Sequence, residues 1–238
     1  MTITSSHNDK LKEIRKLARR RTRDEAGRFV AEGEDLVAAA AAAGWTPLTL
    51  LAVAGSGLDG DEVEGDLLAA VSGLGSGTRQ LGVYGARWSR PGGPLCVGLW
   101  GVGDPGNVGT ILRSALAFGA SSVVLGPGCA DPFGPKAVRA SMGAIFQVPV
   151  ARVADVAELP GERVALAGRA GDVLAGPAEG EVTILVGAER DGLAPDVLAA
   201  CDRVAHIPIA SESLNAAMAA TVALYELTRE SVHRMARA

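Results

Sequence analysis

The sequence predicts an α/β protein in which a small α/β domain precedes a domain built on a parallel sheet. Short apolar strands alternate with helical segments after residue 94, and a strong chain break lies at residues 89–94 (SRPGGP). Such alternation is typical of a parallel sheet covered by helices on both faces. The chain has 238 residues, 48% of them hydrophobic, which is enough for a substantial core and two domains. We expect the domains to span residues 1–90 and 91–238.

The first domain begins with a basic segment at residues 10–28, in which apolar residues recur at helical spacing. The sequence FVAEG (29–33) then leads into a predicted helix at 34–43, and Gly44 suits the position after its C-cap. The remaining predicted elements are a strand at 48–54, a short helix at 65–72 and a strand at 80–84.

The second domain contains the alternating pattern. Predicted strands lie at 95–100, 122–125, 147–150, 164–167, 183–186 and 203–207, and predicted helices at 108–118, 135–145, 195–200 and 214–233. Ligands of such sheets bind beyond the carboxyl ends of the strands. Three loops meet this condition, at residues 101–107, 187–193 and 208–213.

The charge of the chain is unevenly distributed. Residues 10–28 carry nine basic and three acidic side chains, although the whole chain has a formal net charge of −4. A basic element on an acidic protein is typical of contact with a nucleic-acid backbone, because bound Lys and Arg displace condensed counterions. A solvated helix face accounts for the same charges. The charge alone leaves both interpretations open.

Composition argues against three classes of protein. The chain has no apolar run of the roughly 18 residues that a membrane helix needs. The first ten residues lack the cationic start and apolar stretch of a secretory signal. Cys96, Cys129 and Cys201 are odd in number, widely spaced and without a C-x-x-C, which disfavours a disulfide framework or a zinc site. We expect a cytoplasmic protein with no metal centre.

One motif is misleading. Residues 101–106 (GVGDPG) match the G-x-G-x-x-G fingerprint of dinucleotide sites, after a strand and before a helix. That fingerprint requires an acidic residue about 20 positions later, but no Asp or Glu occurs between Asn107 and Ala130. Pro105 also removes one backbone N–H from the loop. A nicotinamide-dependent dehydrogenase is therefore disfavoured.

Three groups of residues carry a family resemblance. They are DPGNVGTILRSA (104–115) with DPFGPKAVRASMG (131–143), LVGAERDGL (185–193), and IPI (207–209) with SLNAAMA (213–219). In this order they resemble the three motifs of the SPOUT superfamily, specifically the TrmH-like RNA 2′-O-ribose methyltransferases. Residues 1–90, with the basic helix and FVAEG, are similar to the L30e-like substrate-binding domain that many members carry.

The resemblance implies an enzyme that uses S-adenosyl-L-methionine, has a C-terminal trefoil knot and forms a homodimer through its C-terminal domain. A knot runs against the general rule that chains do not thread loops, so periodicity gives no sign of it. The implied reaction is methyl transfer to a ribose 2′-hydroxyl of structured RNA, with ribosomal RNA favoured by the appended domain. A tRNA 2′-O-methyltransferase, a base-methylating SPOUT enzyme and a non-catalytic RNA-binding factor remain alternatives.

The resemblance assigns catalytic roles to Asn107, Arg113, Glu189, Ser213 and Asn215. Arg113 is implied to act on the attacking hydroxyl. Because a guanidinium stays charged, we expect it to hold the adjacent phosphate and stabilise the developing alkoxide rather than accept a proton. Asn107 is expected to position Arg113 or the ribose, and Glu189 to orient the arginine or substrate. A plain helix N-cap is the alternative role of Asn107 and Ser213.

Two further sets of residues follow from the resemblance and the charge pattern. The expected cofactor-binding residues are Ala167, Gly187, Ile207 and Leu214, and the expected RNA-binding residues are Lys16, Arg20 and Arg23. Gly187 allows close approach of the backbone to a ligand. For Ile207 and Leu214 taken singly, plain core packing is the more common role of such residues. His206 has no partners for nucleophilic or metal chemistry, so we interpret it as structural.

Overall fold

The computed structural model describes residues 2–74 and 77–235, which are organised around two sheets. The first sheet has the order β1-β4-β2-β3 and comprises β1 (Arg28–Glu32), β2 (Thr49–Val53), β3 (Asp61–Val63) and β4 (Gln80–Gly85). β4 is antiparallel to both of its neighbours, and β2 is parallel to β3. Four helices accompany this sheet: α1 (Asp9–Leu17), α2 (Arg20–Ala26), α3 (Glu34–Ala42) and α4 (Gly65–Ala69).

The second sheet has seven parallel strands in the order β7-β6-β5-β10-β8-β11-β9, which confirms the predicted fold class. Its strands are β5 (Leu95–Leu99), β6 (Ser122–Leu125), β7 (Val150–Arg152), β8 (Glu162–Leu166), β9 (Asp172–Val173), β10 (Val182–Val186) and β11 (Arg203–His206). Its helices are α5 (Pro105–Ala117), α6 (Pro135–Ala140), α7 (Pro195–Ala199) and α8 (Ala216–Met235).

The basic segment forms two helices, so the prediction of a single basic helix is wrong. α1 is capped by Asn8, whose side chain accepts from the backbone N–H of Lys10, and its inner face buries Leu11 and Ile14. The helix stops before Arg19, which is extended at φ −92° and ψ 130°. Apolar spacing gave no sign of this break because the residues around Arg19 are good helix formers.

Local signals also misplaced two other elements and gave no sign of β1. FVAEG leads into α3 as predicted, but its first four residues lie in β1, which pairs with β4, and Phe29 and Ala31 pack in the core shared with the second domain. The strand expected at 147–150 begins only at Val150. The helix expected at 135–145 ends at Ala140, because Met142 and Gly143 adopt positive φ of 48° and 88° before a 3-10 turn at Ala144–Phe146.

The two sheets share one apolar core. Phe29 of β1 lies 4.9 Å from Phe133 and 5.9 Å from Phe146, measured between ring centroids. Trp45 packs edge-on against Phe146 at 5.2 Å, and its Nε1 donates a 2.8 Å hydrogen bond to the Phe146 carbonyl. Such aromatic pairs add about 0.5–1.5 kcal/mol each beyond area burial. This packing fixes the N-terminal elements against the parallel sheet.

The described residues give two further results. None of their helices has the length and apolar composition needed to cross a bilayer. Among them, no group of His, Cys, Asp and Glu side chains is arranged to hold a metal ion, and Cys96, Cys129 and Cys201 are free thiols.

Candidate active site

The loops that follow β5, β8, β10 and β11 meet at the carboxyl edge of the parallel sheet, where ligand sites of such sheets occur. A cavity of about 300 Å³ opens there. Its lining consists of residues 166–168, 186–192, Ile207, Ile209, 212–214, Ala216 and Ala219. A second cavity of about 250 Å³ adjoins it, between residues 102–104, Asn107 and 188–191. Residues 188–191 form a wall of both cavities.

All four residues expected to bind a cofactor, Ala167, Gly187, Ile207 and Leu214, line the larger cavity. So do Gly168, Arg190, Asp191 and Glu212, which the sequence analysis did not single out. Their position in the sequence could have indicated them, since each lies within three positions of a residue that was assigned to the site.

Gly187 owes its identity to the fold of its own loop. The backbone groups of Ala188 and Gly192 exchange two 3.0 Å hydrogen bonds, which fold residues 188–192 into a tight turn. A Cβ on Gly187 would lie 2.2 Å from the Gly192 carbonyl carbon and 2.5 Å from the Leu193 nitrogen. Only glycine therefore allows the turn to close over the end of β10.

Three of the five predicted catalytic residues converge. Asn215 donates from Nδ2 to Asn107 Oδ1 at 3.1 Å and to Glu189 Oε1 at 2.7 Å, and Asn107 Nδ2 also donates to Glu189 Oε1. These residues come from the start of α5, the β10 loop and the residue before α8. The Asn107–Glu189–Asn215 cluster lies where the two cavities share a wall.

The helices that begin near this cluster are capped by residues other than Asn107 and Ser213. The cap of α5 is Asp104, whose carboxylate accepts from the Asn107 backbone N–H at 3.0 Å. The side chain of Asn215 caps α8, accepting from the backbone N–H of Ala217 at 2.9 Å. Neither the side chain of Asn107 nor that of Ser213 therefore caps a helix.

Asp104 also binds a lysine. Lys136 Nζ donates to Asp104 Oδ2 at 2.7 Å, and this hydrogen bond, together with the one from the Asn107 N–H, lowers the pKa of Asp104. An ionised carboxylate at this position stabilises α5, because the N-terminal end of the helix dipole is positive. The pair therefore anchors the turn that carries Asn107.

The side chains of the other two predicted catalytic residues make no hydrogen bond with the cluster. Ser213 is exposed and lines the larger cavity. Arg113 is exposed on α5, lines none of the cavities described and has no hydrogen-bond or ion-pair partner among the described side chains. Its neighbour Ser114 faces α8, where its hydroxyl lies 2.7 Å from that of Thr221.

The predicted RNA-binding residues have different environments. Lys16 and Arg20 are exposed. Arg23 is only 7% exposed: its guanidinium pairs with Asp131 at 2.7 Å and donates to the carbonyls of Leu17 and Ala18. The assignment of Arg23 to RNA is therefore corrected, because a buried guanidinium that is already paired with a carboxylate and two carbonyls is not accessible to a phosphate. Arg23 joins α2 to the second domain.

The Nδ1 atom of His206, which the sequence analysis interprets as structural, lies 3.2 Å from the carbonyl oxygen of Gly171. This contact ties the end of β11 to the segment before β9.

Comparison with known proteins identifies the family. Residues 94–225 match the model of the SpoU rRNA Methylase family, a range that covers more than half of the chain. The chain belongs to this family. A second model, the MRM3-like substrate binding domain, matches residues 8–72 of this SpoU-family chain, the region of α1–α4.

Two curated relatives illustrate the sequence similarity. The 23S rRNA (guanosine(2553)-2′-O)-methyltransferase RlmP of Bacillus subtilis is 38% identical over 135 residues, which cover 53% of this chain and 54% of RlmP. The 23S rRNA (uridine(2479)-2′-O)-methyltransferase of Streptomyces viridochromogenes is 35% identical over 144 residues, covering 54% of this chain and 50% of that protein. The SpoU-family chain thus spans about half the length of the curated relatives it matches.

Solved structures match over nearly the full chain. The AdoMet-bound rRNA methyltransferase from Sinorhizobium meliloti superposes with a TM-score of 0.84 at 32% identity, covering 97% of this chain and 98% of that chain. The SpoU methyltransferase AviRb from Streptomyces viridochromogenes, in complex with AdoMet, has a TM-score of 0.84 at 28% identity, covering 95% and 99% of the two chains.

Proposed function

We propose that this SpoU-family chain transfers a methyl group from S-adenosyl-L-methionine to a ribose 2′-hydroxyl of ribosomal RNA. The observation that carries the proposal is the Asn107–Glu189–Asn215 cluster at the wall of a ligand-sized cavity. RlmP and the Streptomyces relative are named as 2′-O-methyltransferases of 23S rRNA, which favours ribosomal RNA over transfer RNA. A ribosomal RNA substrate implies a cytoplasmic location.

The larger cavity fits the methyl donor. Its volume of about 300 Å³ falls at the lower end of small-molecule sites. Ile207, Ile209 and Leu214 offer apolar surface for an adenine ring, and the carboxylates of Glu189 and Glu212 suit the positive charges of a sulfonium and an amino group. The donor supplies a methyl group activated by the positive sulfur. Both AviRb and the Sinorhizobium enzyme were solved with this molecule bound.

The cluster positions the reacting groups. Glu189 accepts hydrogen bonds from both asparagines, which holds its carboxylate at the wall shared by the two cavities. We propose that the substrate ribose enters the smaller cavity and is oriented by Asn107 and Glu189. Holding the hydroxyl oxygen in line with the methyl–sulfur bond that breaks accounts for much of the acceleration in such transfers. The hydroxyl oxygen would form the new O–C bond as the methyl–sulfur bond of the donor breaks and the sulfur leaves as a neutral thioether. The hydroxyl proton would pass to the neighbouring phosphate or to water.

Arg113 would complete the site as part of a homodimer. The exposed surface of α5 and α8 carries Leu116, Met218, Val222 and Tyr225, which are 38%, 58%, 41% and 47% exposed. An apolar face of this kind is typical of a protein interface. Arg113 lies one turn before Leu116 on the same helix, so a second copy covering this face would bring Arg113 close to the partner's cavity. There its charge would stabilise the developing alkoxide and hold the adjacent phosphate.

The proposed arrangement includes the trefoil knot of the SPOUT superfamily. Its support is the match of residues 94–225 to the SpoU rRNA Methylase family.

Substitution of Arg113 tests the proposed reaction. We expect Arg113→Ala to abolish tritium transfer from labelled donor to deproteinised 23S rRNA while leaving donor affinity, measured by calorimetry, nearly unchanged. The matched control is Arg79→Ala. Arg79 is an exposed arginine of the first domain, so this variant should retain transfer. Nuclease digestion to nucleosides must show the label on ribose. Label on a base, no transfer by the wild type, or parallel loss of transfer and donor binding with the fold retained would contradict the proposal.

Subunit complementation tests the dimer. Arg113→Ala and Gly187→Ala chains carrying different tags are coexpressed, and the heterodimer is purified through both tags. If Arg113 acts across the interface, the heterodimer keeps one intact site and recovers about half of wild-type transfer. If Arg113 acts within its own chain, neither site is complete and the heterodimer stays inactive. Monomeric wild-type protein would also contradict the dimer.

A further inference from the structure

A separate groove lies between the two domains, at the carboxyl ends of β6 and β7. It has a volume of about 280 Å³ and is lined by Arg20, residues 125–130 and residues 152–154. Arg20 is the first residue of α2, and Arg152 is the last residue of β7. The groove therefore receives one arginine from each domain.

The groove is cationic. Apart from Arg20 and Arg152, its lining contains one ionisable side chain, Cys129. Burial raises the pKa of that thiol, and its Sγ lies 3.1 Å from the Leu99 carbonyl, so it carries no charge at neutral pH. Two positive charges therefore face a groove whose lining holds no carboxylate.

Both arginines have free hydrogen-bonding capacity. The ion pair of Arg20 with Asp24 is long, at 3.6 Å from Nε, and both side chains are about half exposed, so this pair is weak. Among the described side chains Arg152 has no carboxylate partner. Its guanidinium instead stacks over the ring of Trp88 at 4.2 Å, and Trp88 in turn packs edge-on against Phe133 at 5.1 Å. This stack holds the guanidinium without using its N–H donors.

The position of Arg20 is also fixed. Three residues later on α2, Arg23 forms its buried ion pair with Asp131, which follows the groove loop 125–130. The buried pair anchors α2 to the methylase domain, so the distance between Arg20 and Arg152 does not depend on a flexible linker. A pre-organised pair of guanidinium groups loses little entropy when it binds a phosphate, whose oxygens match the planar fork.

The groove and the transfer site share one edge of the sheet. All seven strands run parallel, so their carboxyl ends lie together. The strand order places β7 three intervals from β10, and at a spacing of about 4.8 Å this is roughly 14 Å. An RNA strand with its ribose beside Asn107 therefore reaches the groove within a few nucleotides.

We propose that Arg20 and Arg152 form a clamp, one arginine from each domain, that binds the phosphodiester backbone of the substrate RNA a few nucleotides from the methylated ribose. The choice of RNA as the occupant rests on the function proposed above. The buried ion pair and the shared core that join the two domains give this phosphate site a fixed geometry.

RNA binding in the absence of methyl donor tests the clamp. Binding of the full chain to deproteinised 23S rRNA is measured by filter retention at several salt concentrations for Arg20→Gln and Arg152→Gln. We expect each to weaken binding about tenfold and to reduce the slope of log K against log salt by about 0.7–0.9. Donor affinity by calorimetry and the thermal midpoint should stay at wild-type values, which excludes misfolding.

Two matched controls remove the same charge elsewhere. Arg79→Gln alters the first domain away from the groove, and Arg203→Gln lies at the amino end of β11, on the opposite sheet edge. Both should bind RNA within about twofold of the wild type. Groove variants that behave like these controls would overturn the clamp. This experiment measures RNA binding and no methyl transfer, so its result is independent of the proposed reaction. A wild-type protein that binds RNA but transfers no methyl group would refute the reaction, whereas the binding data alone decide the clamp.

Discussion

Asn215 donates a 2.7 Å hydrogen bond from Nδ2 to Oε1 of Glu189, 26 residues away in the chain. The same side chain accepts from the Ala217 backbone N–H through Oδ1. Because the helix end fixes the oxygen side of the amide, the nitrogen side must point at Glu189. One side chain thereby begins α8 and orients the carboxylate of the candidate site.

The two roles of Asn215 can be separated by substitution. Asn215→Asp retains an oxygen that caps α8 but replaces the amide donor with a negative charge beside Glu189. We expect an unfolding free energy close to that of the wild type and a loss of methyl transfer of about 100-fold, in keeping with the value of positioned groups. Denaturant unfolding and tritium transfer measure the two effects. Asn215→Ala should lower both, with a stability loss of about 1 kcal/mol from the missing cap; an active Asn215→Asp enzyme would refute the positioning role.

Gly187→Ala tests the tight turn at the larger cavity. The new Cβ would lie 2.2 Å from the backbone of Gly192, so residues 188–192 must move. We expect donor affinity by calorimetry to fall more than tenfold while the protein remains folded, because the turn forms the cavity wall. Gly85→Ala, at the end of β4 and away from the cavity, is the control, since a Cβ there would meet nothing within 4 Å. Equal affinities of the two variants would contradict this account of the turn.

The buried pair of Arg23 and Asp131 should contribute strongly to stability. Arg23→Met leaves the carboxylate of Asp131 buried without its partner, so we expect a loss of about 3–5 kcal/mol in the free energy of unfolding. Asp131→Asn keeps an oxygen for the Phe133 backbone N–H, which Asp131 Oδ1 accepts at 2.9 Å. The double variant should be more stable than the sum of the single losses predicts. Additive losses in chemical denaturation would show that the two side chains are not coupled.

The contact between Lys136 and Asp104 predicts a change in acid stability. The folded pKa of Asp104 is lowered, chiefly by the Lys136 hydrogen bond, so its ionised form stabilises the fold above the unfolded pKa of about 3.9. That contribution is lost as the pH falls through the lower folded pKa. Lys136→Met removes the main cause, so the loss of stability between pH 4 and the acid limit should be smaller than in the wild type. Denaturant unfolding across this range, with Asp104→Asn as the reference without a titrating group, measures the difference; identical profiles for wild type and Lys136→Met would contradict it.

The sequence was least informative where burial depends on distant residues. β1 reads as a lead-in to a helix because its burial comes from β4 and from Phe133 and Phe146, more than 100 residues later. Arg23 reads as one more cation in a basic segment, and only its contact with Asp131 distinguishes it from Arg20. The break at Arg19 is likewise absent from the apolar spacing.

By itself, the sequence determined the parallel α/β architecture and the loops that lie at the carboxyl edge of the sheet. Both follow from local order, because alternating strands and helices in a parallel sheet bring strand ends to one edge. The tertiary structure alone decided which polar groups meet, Asn107 with Glu189 and Asn215 and Arg23 with Asp131, and that Arg20 and Arg152 line one groove. Those pairings depend on distances between residues far apart in the chain, and local spacing carries no record of such distances.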